Sequence, residues 1–299
     1  MGSERLRNIR YYLLRHGRYL EVARWNFLFE EGSEVEVLKA LKAYQNRDGG
    51  FGRSLLPDYR NPESSVIETW FAGLILREIG FPDMSGGMIR QMLAFFDERI
   101  DFSNVVSSER VAEAYMPWWY RSEDKNEAAY DTLSLAGFVL RHDNPESSLY
   151  ARAQSYVKKV LSGENKPLKA HEISQLLLFC EDMKIARRDD LISEAFKEYV
   201  RQQVQKHIEQ DPLKYRLGDV VVSPDRFIMS RKSPFYSQNQ RICDFYARYI
   251  EDTVLPDGYW PLKIEWEANR ECEHVLRDWR GILTVHNMLY LQGMKTDDD

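Results

Sequence analysis

An all-α chain is what the sequence predicts, on three observations. Apolar residues recur at helical spacing along almost all of it, serine–glutamate capping boxes head two of the periodic segments, and glycines punctuate them. Residues 5–15 and 19–31 are amphipathic and are separated by Gly17. Ser33-x-x-Glu36 opens a helix running to Tyr44. Gly49-Gly50-Phe51-Gly52 ends it, because glycine tolerates the backbone angles a helix exit needs. Ser65-x-x-Glu68 opens an apolar helix finishing near Ile79. Further helical segments cover 88–99, 128–141, 150–161, 171–183, 190–210, 238–254 and 281–293. The run 218–223, with Val220-Val221-Val222, is a short candidate strand.

Two of the apolar helices carry a repeat. Ala72-Gly73-x-x-Leu76-Arg77 recurs as Ala136-Gly137-x-x-Leu140-Arg141, at an offset of 64 residues. Each copy is followed by a turn and then by a more amphipathic helix. The first kind of helix reads as covered on most sides, the second as having one face in water. A double ring satisfies that alternation, with inner helices buried and outer helices solvated. The predicted organisation is a single domain over 1–299, with residues 1–32 packing on the ring and 294–299 a disordered acidic tail.

Composition removes several classes of function. With 41 Lys+Arg against 47 Asp+Glu the formal net charge is −6, which gives no electrostatic reason to expect nucleic acid. The longest apolar run, 70–76, is far below the roughly 20 residues a bilayer helix needs. The N-terminus MGSERLRNIR carries no apolar core of a secretion signal. Three widely spaced cysteines (Cys180, Cys243, Cys272) suit reduced thiols, so the expected location is cytoplasmic. Membrane-surface contact and oligomeric state are not legible in the chain. Aromatic residues, at 13%, exceed what plain core filling requires.

The segment Gln45-Asn46-Arg47-Asp48-Gly49-Gly50-Phe51-Gly52 resembles the QW-type repeat of terpenoid cyclases and protein prenyltransferase β-subunits, and Asp257-Gly258-Tyr259-Trp260-Pro261 resembles a degenerate copy. The chain is also similar to a group of roughly 300-residue bacterial proteins labelled prenyltransferase-like. Four segments carry that likeness: the run from Asp48 through Asp58-x-Arg60-x-Pro62-x-Ser64, Pro117-Trp118-Trp119, Trp260-Pro261-x₄-Trp266, and Asp278-Trp279-Arg280-Gly281-Ile282-x-Thr284. The resemblance implies an α/α toroid of inner and outer helices. It does not bring the family's chemistry with it. There is no Asp-x-Asp-Asp acid, Asp189-Asp190-x-x-Ser193 lacks the last carboxylate of a magnesium–diphosphate motif, and the Asp-x-Cys spacing of the prenyltransferase zinc site is missing. The six histidines show no metal-ligand spacing either, so no metal and no cofactor are expected. His286 alone among them has a case for facing inward from an apolar helix.

Candidate site residues fall into four groups. Asp58 and Arg60 lie in a loop leading into the apolar helix that holds Trp70, where free N–H groups and the helix dipole favour anions. Asp58 is a candidate acid and Arg60 a candidate anion holder, the bland alternative being a loop clasp. Trp118 and Trp119, beside Tyr115 and Tyr120, suit either a cavity wall or a packing cluster. Trp260, Glu265, Trp266, Asp278, Trp279 and Arg280 form a third group, placed just before the last apolar helix. Asp58 or Glu265 could pair with Asp278 as acid and base, or the charges could be structural clasps. Asp131 is a carboxylate near the start of an apolar helix, facing a cavity or serving the dipole. The leading functional expectation is an aromatic cavity for an apolar, isoprenoid ligand, with metal-independent acid-initiated cyclisation or isomerisation if it is catalytic. The rivals are a cytosolic carbohydrate enzyme with paired carboxylates and a non-catalytic toroid used for binding or scaffolding.

Overall fold

A computed structural model of the chain describes residues 2–102, 128–162, 168–218, 220–262 and 273–295, the side chains of 128–131 and 189 excepted. The fold is all-α. Among the described residues there are twelve α-helices and no strand, only the isolated bridges Gln45–Phe51 and Phe51–Ser65. The candidate strand at 218–223 has no partner to pair with. Gly218 closes a short helix in the left-handed conformation, Val220 is exposed, and a single backbone bond from Glu209 reaches Val222. The chain divides into two compact units, Met1–Ala43 with Ile208–Asp299, and Tyr44–His207.

The central unit holds α4 (Val66–Glu78), α5 (Gly86–Arg99), α6 (Ala128–His142), α7 (Ser148–Leu161), α8 (Ala170–Ile185) and α9 (Glu194–His207). Here the expected alternation is visible. Every residue of α6 from Thr132 to Leu140 is buried, whereas α7 buries Leu149, Tyr150, Ala153 and Val157 and turns Lys158 and Lys159 to water. α6 packs against both α7 and α8, and α5 against α4 and α7.

The sequence repeat is a packing device. A methyl group at Gly73 of α4 would stand 3.2 Å from the Phe138 ring of α6, and one at Gly137 of α6 would stand 3.0 Å from the Phe179 ring of α8. Each glycine is therefore a notch for a ring of the next apolar helix, which lets the helices approach closely. The arginines that end the repeat also converge. Arg77 and Arg141 reach the buried Asp182 of α8 at 2.5 and 3.0 Å, with the Phe81 ring under the Arg141 guanidinium at 4.3 Å.

The second unit holds α1 (Ser3–His16), α2 (Tyr19–Phe29), α3 (Glu34–Lys42), α10 (Pro212–Leu217), α11 (Tyr236–Thr253) and α12 (Glu273–Gly293). α12 packs against α1, α2 and α11 over a core that includes Ile9, Leu13, Trp25, Ile242, Val285 and Tyr290. Ser33 caps α3 by accepting from the Val35 N–H at 3.1 Å. The reciprocal half of that box is missing, because Glu36 turns to the Tyr19 hydroxyl at 2.6 Å and to Lys39 at 2.7 Å.

Both Asp-Gly turns are built alike, one in each unit. Gly49 and Gly258 each take φ 90°, and each presses on a helix backbone, at Gln91 of α5 and at Asn8 of α1 respectively. Only a residue without Cβ fits either position.

Candidate functional site

In the central unit the residues of the first motif are tied into one knot. Asp48 accepts from the Gly50 N–H at 3.0 Å and from the Ser64 hydroxyl at 2.7 Å, while Asn46 donates to Pro62 O at 3.1 Å and to Ser64 Oγ at 3.0 Å. Ser65 caps α4 through the Glu68 N–H at 3.1 Å. The Glu68 carboxylate is fully buried and accepts from the Leu56 N–H and the Ser65 hydroxyl, both at 3.3 Å. Within this knot Asp58 is half-buried, Tyr59 fully buried and Arg60 exposed. Trp70 is half-buried on α4, on a stripe with Ile67, Phe71 and Leu74 that keeps partial exposure, as do Arg77 and Glu78 at the end of the helix. Asp131 lies on α6, but its side chain is not described, and Trp118 and Trp119 lie outside the described residues.

In the other unit the structure changes the setting of the third motif. Asp278, Trp279 and Arg280 do not precede the last helix; they lie inside it, since α12 begins at Glu273. Helical rotation then separates neighbours in sequence, at about 100° per residue. Arg280 shares a side of α12 with Glu273, to which it donates at 2.8 Å, and its guanidinium lies 5.2 Å from the centre of the Tyr259 ring. Asp278 faces elsewhere, toward the α1–α2 junction. Trp260 is buried, with its indole N–H donating to Ile250 O at 2.8 Å. Glu265 and Trp266 lie outside the described residues.

Asp278, Trp279, Ile282, Leu283, His286 and Leu289 are all half-exposed, and they fall within one arc of about 140° on α12. Val275 and Tyr290 fall within the same arc but are buried, as are Gly281, Thr284 and Leu291 on the opposite side, where Glu273 and Arg277 are exposed and Arg280 and Met288 half-exposed. A stripe of large apolar side chains with a carboxylate at one end and an imidazole in the middle is thus left partly uncovered in this unit.

The electrostatics along the stripe are specific. Burial pushes the Asp278 carboxyl above its ordinary range, opposed by the nearby Arg18 and Arg277 and reinforced by Glu21. Glu21 is itself fully buried and holds Arg18 in a two-bond clasp at 2.8 Å for each bond, with Arg24 at 3.7 Å. Arg18 is therefore already engaged by Glu21. Two turns further on, His286 Nε2 meets Asp225 Oδ2 at 2.9 Å. Burial is the largest influence on Asp225 and works to raise its pKa, yet His286, Ser223 and Arg226 together hold it below the usual value. Around this pair stand Tyr215, Tyr246 and Tyr290, with ring centres 5.5 Å apart between Tyr246 and each of the others. Burial raises all three phenols, so they stay neutral.

Asp225, Arg18 and Glu21 carry no motif and were invisible to sequence reasoning. Asp225 is brought to His286 by the 3-10 turn Pro224–Arg226, 61 residues away in sequence. Among the described residues no group of three His, Cys, Asp or Glu side chains is arranged to hold a metal ion, and no helix is long and apolar enough to cross a membrane. Comparison of the chain with family models, curated proteins and solved structures returned no match.

Proposed function

We propose that this chain is a terpenoid cyclase- and prenyltransferase-like α/α toroid of the cytoplasm, and that the half-exposed stripe of α12 is one wall of its site for an apolar, isoprenoid ligand. The observation that carries the reading is the position of Asp278. A half-buried carboxyl with a raised pKa stands at the head of a face made of Trp279, Ile282, Leu283 and Leu289. Such a group can deliver a proton to an alkene, and the negative face of an indole ring stabilises the cation that forms.

His286 completes the chemistry. Asp278 and His286 are eight residues apart on one helix, a rise of about 12 Å, which suits the ends of a prenyl chain rather than one functional group. In the forward step Asp278 gives its proton to one carbon of a C=C bond, leaving a carbocation. Attack by a remote double bond closes a ring and carries the cation along the chain toward His286, which removes a proton from the carbon beside it to restore an alkene, and Asp225 stabilises the imidazolium that results. Proton exchange with solvent returns both groups to their starting states, so the net change is an isomerisation or ring closure without a metal or cofactor.

The test is incubation of the protein with farnesyl, geranylgeranyl and longer prenyl substrates, with product analysis and thermal melting in parallel. A rearranged hydrocarbon product or protection from heat is expected with at least one chain length, and Asp278→Asn should lose the product but not the protection. No turnover and no protection with every substrate would sink the proposal.

A further inference from the structure

On the other side of α12 lies a cleft of about 470 Å³, bounded by α1, the turn at Asp257-Gly258 and the first turns of α12. We infer that it binds a small anion carried on a flat ring, of which an aryl phosphate is the simplest example.

The floor of the cleft is aromatic and rigid. Tyr12 of α1 stacks on Tyr259 with ring centres 4.7 Å apart and planes at 27°, and the Arg280 guanidinium lies against the same Tyr259 ring. Gly258 fixes the turn that presents Tyr259, because its position against Asn8 admits no side chain, and Asn8 Nδ2 donates back to Pro256 O at 3.2 Å. Tyr11, 48% exposed, adds a further ring face at the side. Stacked phenols of this kind accept another flat ring at little entropic cost, since their own rotamers are already held.

The walls are cationic. Arg15, Arg277 and Arg280 line the cleft against two carboxylates, Glu273 and Asp257, in a chain whose net charge is −6. Glu273 is committed to Arg280 at 2.8 Å, and Asp257 is exposed. Among the described residues neither Arg15 nor Arg277 has a carboxylate within ion-pair distance, so both guanidiniums that line the cleft remain open to an anion, Arg277 with only the longer-range pull of Asp278. Burial raises the Tyr12 hydroxyl above its ordinary pKa, against the pull of Arg280, and keeps it a neutral donor. Guanidinium forks match the oxygens of a phosphate, and the volume lies within the range of about 300–1,000 Å³ typical of small-molecule sites. This cleft and the α12 stripe use different faces of the helix, so the two assignments stand or fall separately.

The test is titration of the full chain, followed by calorimetry and by amide shifts, with three probes: phenyl phosphate, inorganic phosphate and phenol. Phenyl phosphate is expected to bind more tightly than either fragment. Arg15→Gln and Arg277→Gln should each weaken it about tenfold, the loss of one charge-assisted hydrogen bond. Tyr259→Leu should weaken phenyl phosphate while leaving inorganic phosphate unchanged, and circular dichroism would show that each variant is folded. Three outcomes would overturn the inference: no binding of phenyl phosphate, equal affinity for phenyl phosphate and inorganic phosphate, or unchanged affinity in the Arg15→Gln/Arg277→Gln double variant.

Discussion

Arg77 and Arg141, which end successive copies of one short repeat, close on opposite oxygens of the same carboxylate, Asp182. Asp182 is fully buried and both arginine side chains are 15% exposed, so the trio is a partly desolvated clamp across α4, α6 and α8. Replacing Asp182 with Asn leaves two cations facing each other without their shared anion. The expected loss of stability is about 3 kcal/mol, toward the low end for a broken buried pair because the arginines keep some water contact. Urea denaturation of Asp182→Asn measures it, and a midpoint unchanged from wild type would mean that the clamp carries no net stability.

His142 is the neighbour of that clamp and makes it pH-sensitive. Burial, with Arg141 and Arg77 close by, lowers its pKa to about 4 from an ordinary 6.5. The folded state therefore binds fewer protons than the unfolded state between those two values. Stability then rises with pH through the window and is lost as pH falls from about 6.5 toward 4. Chemical denaturation at pH 7.5, 5.5 and 4.5 should show this decline in the wild type and a shallower one in His142→Gln. Parallel declines in the two proteins would assign the effect to other groups.

The two Asp-Gly turns should respond alike to substitution. Gly49→Ala and Gly258→Ala each combine left-handed strain with a collision against helix backbone, a cost of about 3 kcal/mol or more. Gly218 also has positive φ, at 77°, yet a methyl group there would meet nothing within 4 Å, so Gly218→Ala should cost only about 1 kcal/mol. Melting temperatures of the three variants test the ranking, and equal effects would contradict the close approach at residues 49 and 258.

Asp278 should trade stability for function. Its folded pKa is raised, so the stability tied to it is complete below the unfolded pKa and is lost as pH rises through the folded value. At neutral pH the ionised form is a burden, and Asp278→Asn should melt slightly higher than wild type while losing any acid step. A lower melting point for the variant would mean that the carboxylate holds the structure together rather than being held in reserve.

Much of the fold was legible because helical periodicity and caps are local signals. The break between α1 and α2 at Gly17, the Ser65 cap and the Asp48 turn all stand where the residues indicated. The onset of α12 was not. Residues 273–280 are charged and show no clean apolar spacing, yet the helix forms because Val275 and Leu276 are buried, a gain set by tertiary packing. That shift moved Asp278 and Arg280 from one loop to different sides of one helix. His286 was expected to face inward from an apolar helix, yet it stands half-exposed with Asp225 as its partner, and Asp225 was not legible either, since nothing in Ser223-Pro224-Asp225 signals a long-range pair. The repeat was legible as a pattern, but its meaning needed Phe179 and Asp182, which lie on a helix outside the pattern.

Photolabelling asks outright whether the α12 stripe receives an isoprenoid chain. A prenyl alcohol bearing a diazirine on its chain, irradiated with the protein and followed by peptide mapping, reports which side chains touch an apolar ligand. Labels are predicted on the 278–289 segment of α12, at Trp279, Ile282, Leu283 or Leu289, suppressed by unlabelled prenyl alcohol. Saturable labelling confined to other segments, or labelling of α12 that competitor does not reduce, would contradict a site on this helix.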